Sequence, residues 1–381
     1  MKNFIIISGL NLNDNNRGTA ALSYGAFSFL KEREWLNEKQ TILNIKFVKK
    51  IWKKTYRRDK CEIVNIDNVQ WKIITKHVFI LEKVLLLKFG LLLPFTTFGR
   101  SMRNVQRVAA INGGDGFSDI YNTRTFWGRL TDTYIAFKLN IPVIQLPQTF
   151  GPFNVKENYN IATYILKKSE HVFVRDDKFT NELQNMGIKY EITRDLSYYM
   201  KPQEWDIQVK EDSIGINVSG LAYSNNFRTL KGQFEQYPNL INQIICYFRD
   251  KGHTIYLIPH SYNYNNPEID NDDIIACRDA YNRLSDKSNV VLIDKDLSSP
   301  QIKYLISKMK FFIGTRMHAN FAAIYTGIPL FGLAYSYKFE GAFNANGLNG
   351  REQTALINNI TNNDISSIIK KIEYVFNKLC K

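Results

Sequence analysis

The stretch from Gly314 to Gly341 constrains the fold more than any other part of this 381-residue chain. An apolar run, Phe311 to Ile313, ends at a glycine, which is the pattern of a buried strand that stops at a turn. The segment from Ala319 to Tyr325 contains small and apolar residues without Gly or Pro and predicts a helix. Leu330 to Ala334 predicts a second strand. We therefore predict a strand–helix–strand unit of an α/β fold.

Three side chains that can carry positive charge follow the strand ends of this unit. Arg316 and His318 come at or just before the predicted helix N-terminus, where backbone N–H groups are free and the helix dipole is positive. Lys338 comes just beyond the second strand. Open α/β sheets bind ligands at the carboxyl ends of their strands. Each residue alone suits a surface or capping role, but together they predict an anion-binding site.

The same stretch resembles the C-terminal signature of the polysaccharide pyruvyl transferase family. That signature combines G-x-R-x-H, a helix of small residues, G-x-P and Y-S-x-K-F. Its elements here are Gly314, Arg316, His318, Gly327, Pro329, Tyr335, Ser336, Lys338 and Phe339. The resemblance implies an α/β fold of two Rossmann-like domains with a cleft between them, similar to glycosyltransferase B. It also implies phosphoenolpyruvate as the donor substrate, no cofactor, and a sugar acceptor that becomes a cyclic pyruvate ketal.

Further segments in the first half of the chain resemble the same family. The phrase PQTFGPF, Pro147 to Phe153, is similar to its P-Q-x-x-G-P-F loop and implies that Gln148 lies at the cleft rim. Arg175 follows a predicted strand in the sequence V-R-D, which the family shares. The resemblance implies that Arg175, like Arg316, binds an anionic group of the donor. Asp195 resembles a later T-x-D step, and it either orients Arg175 or binds a hydroxyl group.

Two loops of the first half leave their role open. The Asn-rich loop before the first helix carries Asn16 and Arg17, where family members often place an active-site loop, but an ordinary surface loop fits equally. A glycine-rich turn from Gly113 to Gly116 follows another strand. Glycines there would let a ligand approach the backbone of Gly114, although a plain tight turn also needs them.

The residue types suit phosphoenolpyruvate chemistry. The donor carries a phosphate and a carboxylate, which forked guanidinium groups bind better than ammonium groups, so Arg175 and Arg316 are expected to close on it. His318 is the expected general acid that protonates the enol carbon, because imidazole can deliver a proton near neutral pH. Lys338 is expected to hold the leaving phosphate. The sequence contains no cluster with metal-ligand spacing.

Two other functions remain open on the sequence. A glycosyltransferase that uses a nucleotide sugar would suit a two-domain cleft equally well. A non-catalytic, membrane-associated protein of polysaccharide assembly would instead depend on the basic part of the chain. The density of signature residues after Gly314 places the assembly protein last of these alternatives.

The net charge of +14 is concentrated in one segment. Residues 31–110 hold 18 Lys or Arg and 7 Asp or Glu, so the rest of the chain is close to neutral and nucleic-acid binding is not expected. Basic and aromatic residues alternate between Lys46 and Lys60. The apolar stretch Val78 to Phe98 is too interrupted for a membrane span. Residues 46–104 either contact a membrane, where they could reach a lipid-linked acceptor, or form a solvated face with a core helix.

The length of the chain is sufficient for two domains. We predict an N-terminal α/β domain over residues 1–205 with an insertion at about 40–104, a C-terminal α/β domain over 206–350, and a helical segment over 351–381 that could pack back across the first domain. The four scattered cysteines predict reduced thiols. The apolar run from Met1 to Ser8 is too short to be a signal peptide, and it predicts a first strand. We expect a cytoplasmic protein, either free or peripheral at the inner face of the plasma membrane.

Overall fold

The computed structural model describes residues 3–50 and 59–380. The chain divides into two compact units, the first made of Met1–Leu12 and Leu22–Met200 and the second of Asn13–Ala21 and Lys201–Lys381. Each unit contains one sheet. Residues 51–58, which carry much of the predicted basic and aromatic segment, lie outside the described residues.

The first unit is built on an eight-stranded sheet. Its strands are β1 (Phe4–Ser8), β2 (Thr41–Val48), β3 (Lys60–Ile66), β4 (Val69–Phe79), β5 (Val105–Ala110), β6 (Val143–Gln148), β7 (His171–Val174) and β8 (Glu191–Ile192). They lie in the order β3-β4-β2-β1-β5-β6-β7-β8, and all neighbours are parallel except β3 and β4. The chain order reverses between β1 and β5, the position beyond which such sheets bind ligands.

Helices cover this sheet and share its core. They are α1 (Arg17–Glu32), α2 (Ile80–Phe89), α3 (Thr97–Arg103), α4 (Thr123–Arg129), α5 (Thr131–Lys138), α6 (Lys156–Lys168), α7 (Thr180–Asn185) and α8 (Leu196–Tyr199). The β1 sequence FIIIS is buried from Ile5 onward. A strand that is apolar on both faces is expected at the centre of a parallel sheet, because helices pack on both sides of it.

The segment predicted as an insertion contributes three strands to the sheet. In β4, Val69, Trp71 and Ile73 are buried while Gln70 and Lys72 between them are exposed, which is the period of two of a strand with one covered face. Asp67 and Asn68 join β3 to β4 with φ angles of 54° and 63°, as a two-residue hairpin turn requires. The many lysines of this segment obscured the alternation in the sequence.

The apolar stretch Val78 to Phe98 contains the short helix α2 rather than one long element. Over residues 3–50 and 59–380, no helix has the length and apolar character that a membrane span needs.

The second unit is built on a six-stranded sheet in which every neighbouring pair is parallel. The strands lie in the order β11-β10-β9-β12-β13-β14, and they are β9 (Ile214–Asn217), β10 (Ile255–Leu257), β11 (Val290–Leu292), β12 (Phe311–Gly314), β13 (Leu330–Ala334) and β14 (Thr354–Leu356). The helices are α9 (Gly220–Ser224), α10 (Tyr237–Asp250), α11 (Asp273–Arg283), α12 (Ser299–Ile306), α13 (Met317–Tyr325), α14 (Lys338–Ala345), α15 (Gly350–Gln353) and α16 (Asn362–Leu379).

The C-terminal helix α16 packs on the second unit. Its buried residues Ile365, Ile368, Ile372 and Val375 join the core formed by α10 and the strands of this unit. A capping box between Thr361 and Asp364 fixes where the helix begins. The helical spacing of these apolar residues predicted a packed face, but it could not specify the partner.

Candidate active site

The candidate site of the second unit lies at the carboxyl ends of β9, β10 and β12. Asn217 ends β9, His260 follows β10, and Arg316 follows β12. The Asn217 side chain connects these ends. Its Oδ1 accepts a hydrogen bond from the backbone N–H of Arg316 at 2.8 Å, and its Nδ2 donates to the carbonyl of Ile258 at 3.0 Å. Asn217 therefore links these strand ends by hydrogen bonds, and the bonded strand ends are called the frame of the second unit below.

Asp273, the first residue of α11, is the fully buried carboxylate of this frame. Its Oδ1 accepts hydrogen bonds from the backbone N–H of Gly220 at 2.9 Å and from two guanidinium nitrogens of Arg316. Its Oδ2 accepts from the backbone N–H groups of His260 at 3.0 Å and Ser261 at 2.9 Å. One carboxylate thus holds the arginine and two loops in fixed positions.

Arg316 is held in one orientation by this carboxylate. Its Nε and Nη2 donate to Asp273 Oδ1 at 3.0 and 2.8 Å, and Nη2 also donates to the carbonyl of Asn271 at 2.6 Å. Burial would lower the pKa of Arg316, but the Asp273 charge outweighs this and raises it. Nη1 forms no hydrogen bond with any residue in the described part of the chain, so it is the nitrogen left for a ligand.

His318 lies in the first turn of α13, two residues after Arg316. Its ring packs edge-on against Phe321, with the ring centroids 5.6 Å apart. On another side it lies against Gly18, where an added Cβ would come within 2.5 Å of the imidazole Nδ1. Glycine is required at this position because any side chain would displace the imidazole.

The loop before α1 belongs to this site, because residues 13–21 group with the second unit. The carbonyl of Asn15 accepts from the backbone N–H of Tyr262 at 2.8 Å, and the backbone N–H of Arg17 donates to the carbonyl of His260 at 3.1 Å. Asn16 is exposed and caps α1, accepting the backbone N–H of Gly18 at 3.0 Å through its Oδ1. The loop thereby brings Gly18 to His318.

The Arg17 side chain is buried and bonded to protein groups. Its Nη1, Nε and Nη2 donate to the carbonyls of Asp14 and Leu297 and to the carboxylate of Asp296, at 2.6, 2.8 and 2.7 Å. Arg17 therefore anchors the loop in the structure. Its predicted role toward substrate stays a prediction.

His260 is a buried histidine beside several cationic groups. Burial lowers the pKa of His260 well below its ordinary value, and the nearby His318, Arg316 and Arg17 lower it further. Its imidazole is therefore neutral near pH 7, which makes it unsuitable as a proton donor.

Lys338, the third cationic residue predicted for this site, is exposed at the beginning of α14.

The first unit carries a second anchored guanidinium at its own sheet edge. Arg175 follows β7, and its Nη1 donates to Asp195 Oδ2 at 2.7 Å while its Nε donates to Thr149 Oγ1 at 3.0 Å. Burial would lower the pKa of Arg175, but Asp195 and Asp176 together raise it. Within residues 3–50 and 59–380, Nη2 of Arg175 has no hydrogen-bond partner. Asp195 has the geometry of an orienting residue.

The glycine-rich turn supports Arg175 in the same unit. Gly114 has a φ of +80°, and an added Cβ would lie 2.7 Å from Nη1 of Arg175. Gln148 is buried, with its Oε1 accepting from the backbone N–H of Asn112 at 3.2 Å and its Nε2 donating to the carbonyl of Ala110 at 3.4 Å. Both ends of the Gln148 amide are bonded to the backbone, so Gln148 shapes this turn, and its predicted position at a cleft rim stays a prediction.

Three residues of the second unit's frame were not found by sequence reasoning. Asn217 is a polar residue at the end of an apolar strand, a signal that the sequence does offer. Asp273 lies in an acidic run that looks like an ordinary solvated helix start. Thr315 was also missed, and its hydroxyl lies 2.7 Å from that of Tyr237, whose pKa is raised by burial.

Solved structures with a similar fold include UDP-GlcNAc 2-epimerases. UDP-GlcNAc 2-epimerase from Methanocaldococcus jannaschii is 12% identical, with a TM-score of 0.55 over 100% of this chain and 93% of that chain. The enzyme from Neisseria meningitidis bound to UDP-GlcNAc is 14% identical, with a TM-score of 0.51 over 100% and 94%. At this identity the likeness defines the fold alone: an α/β protein of the glycosyltransferase-B type.

The family of the chain follows from a separate comparison. The model of the polysaccharide pyruvyl transferase family matches residues 16–337, which is most of the chain. The protein therefore belongs to the polysaccharide pyruvyl transferase family. A search of curated proteins found no match.

Proposed function

We propose that this protein transfers the pyruvyl group of phosphoenolpyruvate to two hydroxyl groups of one sugar and forms a cyclic ketal. A proton adds to the methylene carbon of the donor, and the two sugar oxygens bond to its central carbon while the bond to the phosphate oxygen breaks. One hydroxyl proton replaces the proton donated by the enzyme, and the other leaves with phosphate. No oxidation or reduction takes place.

Arg316 is the residue we assign to an anionic group of the donor in the second unit. The guanidinium is held by a buried carboxylate and keeps Nη1 for a ligand. A pre-oriented, permanently charged fork binds phosphate or carboxylate with little loss of side-chain entropy on binding. Arg175, anchored in the same way by Asp195, is the corresponding residue of the first unit, and Lys338 is assigned to the leaving phosphate.

His318 is the general acid of the proposal. It stands in the first turn of α13, and its ring is positioned by Gly18 and Phe321. A bound phosphate nearby would favour the imidazolium form, which can then protonate the enol carbon. The resulting oxocarbenium-like carbon is attacked by the first sugar hydroxyl, and the second hydroxyl displaces phosphate.

The observation that carries the proposal is the pairing of Arg316 and His318 on one rigid turn. The Arg316 backbone is fixed by Asn217, its side chain is fixed by Asp273, and His318 follows two residues later on the same helix start. This arrangement supports the assignment of Arg316 as the anion-binding group and of His318 as the proton donor, because a reaction that protonates an anionic enol ester needs both at one site.

A transfer assay with isotope-labelled phosphoenolpyruvate tests the proposal. The purified protein is incubated with the donor and a panel of nucleotide-linked, lipid-linked and free oligosaccharide acceptors. We expect one acceptor to gain the mass of pyruvate less one water and to release an equal amount of phosphate. His318→Ala should abolish both products while the protein stays folded.

His253→Ala is the matched control for this assay. His253 precedes β10 and therefore lies at the opposite end of the strand from His260. It should retain full transfer. Normal turnover by His318→Ala would remove that residue from the mechanism. Saturable binding of a nucleotide sugar without any binding of phosphoenolpyruvate would overturn the proposal in favour of a glycosyltransferase.

A further inference from the structure

We propose that α2 and the loop after it form a docking surface for an anionic membrane. The surface is defined here as residues 80–96 with the exposed basic side chains next to them, and it is called the α2 surface below. It lies wholly within the first unit and is separate from the residues assigned to transfer. The proposed partner is a lipid bilayer with negatively charged headgroups, contacted from one side.

The helix α2 presents its apolar side chains to solvent. Seven of its ten residues are apolar, yet Leu86 is the one that is fully buried. Leu81 is 51% exposed and Phe89 is 67% exposed. A helix that is apolar on all sides is normally enclosed by protein or by lipid, and here one side remains uncovered.

Two of the three charged residues of α2, Glu82 and Lys83, are turned toward the protein. Lys83 donates a hydrogen bond to Thr131 Oγ1 at 3.1 Å and lies 5.4 Å from the ring centroid of Phe47. The carboxylate oxygen Oε2 of Glu82 is buried. Glu82 and Lys83 are thus turned toward the protein while Leu81 and Phe89 are exposed, a distribution that differs from that of an ordinary surface helix.

The loop after α2 extends the apolar surface and is fixed in place. Leu91 is 55% exposed and Phe95 is 71% exposed. Gly90 ends the helix in the left-handed conformation with a φ of 68°. The Thr96 hydroxyl caps α3 by accepting the backbone N–H of Gly99 at 3.0 Å. The apolar tips are therefore presented by a capped structure, which lowers the entropy lost on contact.

Exposed basic side chains lie next to both ends of α2. Val48 pairs with Phe79, so Lys49 and Lys50 leave the sheet beside the start of α2, and both are exposed. Lys88 is exposed in the last turn of the helix. Residues 41–50 and 80–103 contain seven Lys or Arg and one acidic residue, Glu82.

This charge distribution selects a membrane over a second copy of the chain. Two copies that met through the α2 surface would bring two positive rims together, and like charges repel. An anionic bilayer attracts the basic rim and accepts the apolar side chains among its headgroups. A bilayer therefore interacts with both the basic and the apolar side chains of the α2 surface.

Flotation with lipid vesicles tests the inference. The protein is mixed with vesicles of phosphatidylcholine alone or of phosphatidylcholine with phosphatidylglycerol. We expect binding to the anionic vesicles that weakens with added salt. The double variant Leu91→Ser, Phe95→Ser should bind at least about tenfold more weakly, because two exposed apolar side chains lose their lipid contact. Lys49→Glu should weaken binding about fivefold or more.

Ile192→Ser is the matched control, since Ile192 is 59% exposed on β8, at the opposite edge of the same sheet. It should bind as the unaltered protein does. Equal vesicle binding by the α2-surface variants and the unaltered protein would overturn the inference. So would a dimer in light scattering that the Leu91→Ser, Phe95→Ser variant abolishes, because a second copy would then cover the surface. Transfer activity is measured on the same samples with a water-dispersed acceptor and should be unchanged.

Discussion

At the scale of single residues, the site depends on a carboxylate that is not itself expected to meet the substrate. Asp273 fixes Arg316 and the backbone after β10, and it is fully buried. An arginine without this partner would be a buried, uncompensated charge. The fixed direction of Arg316, and with it the direction in which Nη1 can bind an anion, therefore follows from Asp273.

Asp273→Asn should strongly destabilise the protein. Breaking a buried ion pair by neutralising one partner costs about 3–5 kcal/mol of unfolding free energy. Urea unfolding, followed by circular dichroism, measures the change. Asp279→Asn on the same helix is the control, because its pair with Arg283 is exposed and is worth less than about 1 kcal/mol. Equal losses in the two variants would contradict the role given to Asp273.

His260 makes a separate prediction about pH. Its pKa in the folded protein is well below that of the unfolded chain, because the ring is buried beside cationic groups. As pH falls below the unfolded value of about 6.5, the unfolded chain binds a proton that the folded protein does not. Proton binding to His260 in the unfolded chain therefore lowers the free energy of unfolding at acid pH. Above about pH 7 the unfolded chain does not bind this proton, so the free energy of unfolding is unaffected there.

Comparison of the unaltered protein with His260→Gln isolates this effect. Between about pH 7.5 and about pH 5.5 the unaltered protein should lose up to about 1.4 kcal/mol more unfolding free energy than the variant, since the variant has no proton to bind there. Urea unfolding at the two pH values gives the difference. Identical losses in the two proteins would show that His260 titrates normally.

At the scale of elements, the beginning of α1 and the beginning of α13 are matched to each other. Gly18 leaves space for the His318 imidazole, and the residues around it are bonded to the second unit. The helix α1 therefore has a role beyond packing on the first sheet. Its first turn sets the position of the proposed general acid.

Gly18→Ala should reduce transfer by about tenfold or more, because the new Cβ would displace His318 and small misplacements of catalytic groups are costly. The fold should persist, since alanine favours a helix over glycine. Transfer rate and thermal unfolding are the measurements. Gly128→Ala is the control, as a Cβ there meets no atom within 4 Å. Normal transfer by Gly18→Ala would mean that His318 can move without consequence.

Local sequence patterns predicted the elements of the signature closely. The predicted strand Leu330 to Ala334 is β13, and the predicted helix Ala319 to Tyr325 is α13 with two further residues at its start. The placement of Arg316 and His318 at the helix N-terminus is confirmed. These features depend on a few neighbouring residues, so the period of apolar residues and the position of glycines were sufficient.

Contacts between distant residues could not be predicted in the same way. Arg316 meets Asp273 across 43 positions, and Arg17 meets Leu297 across 280. No local pattern identifies such partners. The strand β4 was not predicted, because its residues fall between the basic run and the apolar stretch that the sequence analysis singled out, within a region interpreted only as an insertion. The roles of Arg175, Gln148 and Lys338 toward substrate stay predictions.

At the scale of the whole molecule, the chain combines a fold found in nucleotide-sugar enzymes with the residues of a pyruvyl transferase family. The fold supplies parallel sheets whose carboxyl edges gather polar side chains from distant parts of the sequence. The residues at those edges set the chemistry. Arg316, Asp273 and His318 are the part of the molecule on which the proposed reaction depends most directly.

Calorimetric titration of phosphoenolpyruvate into the purified protein tests this dependence, with Arg316→Lys measured beside it. We expect saturable binding to the unaltered protein and an affinity at least about tenfold lower in the variant. Lysine keeps the positive charge, but its ammonium group cannot bond Asp273 and the donor at the same time as a planar guanidinium group can. Arg283→Lys, a change at an exposed ion pair, should bind normally. Equal affinity in Arg316→Lys and the unaltered protein, or no binding of phosphoenolpyruvate in the presence of the sugar acceptors, would contradict the proposed function.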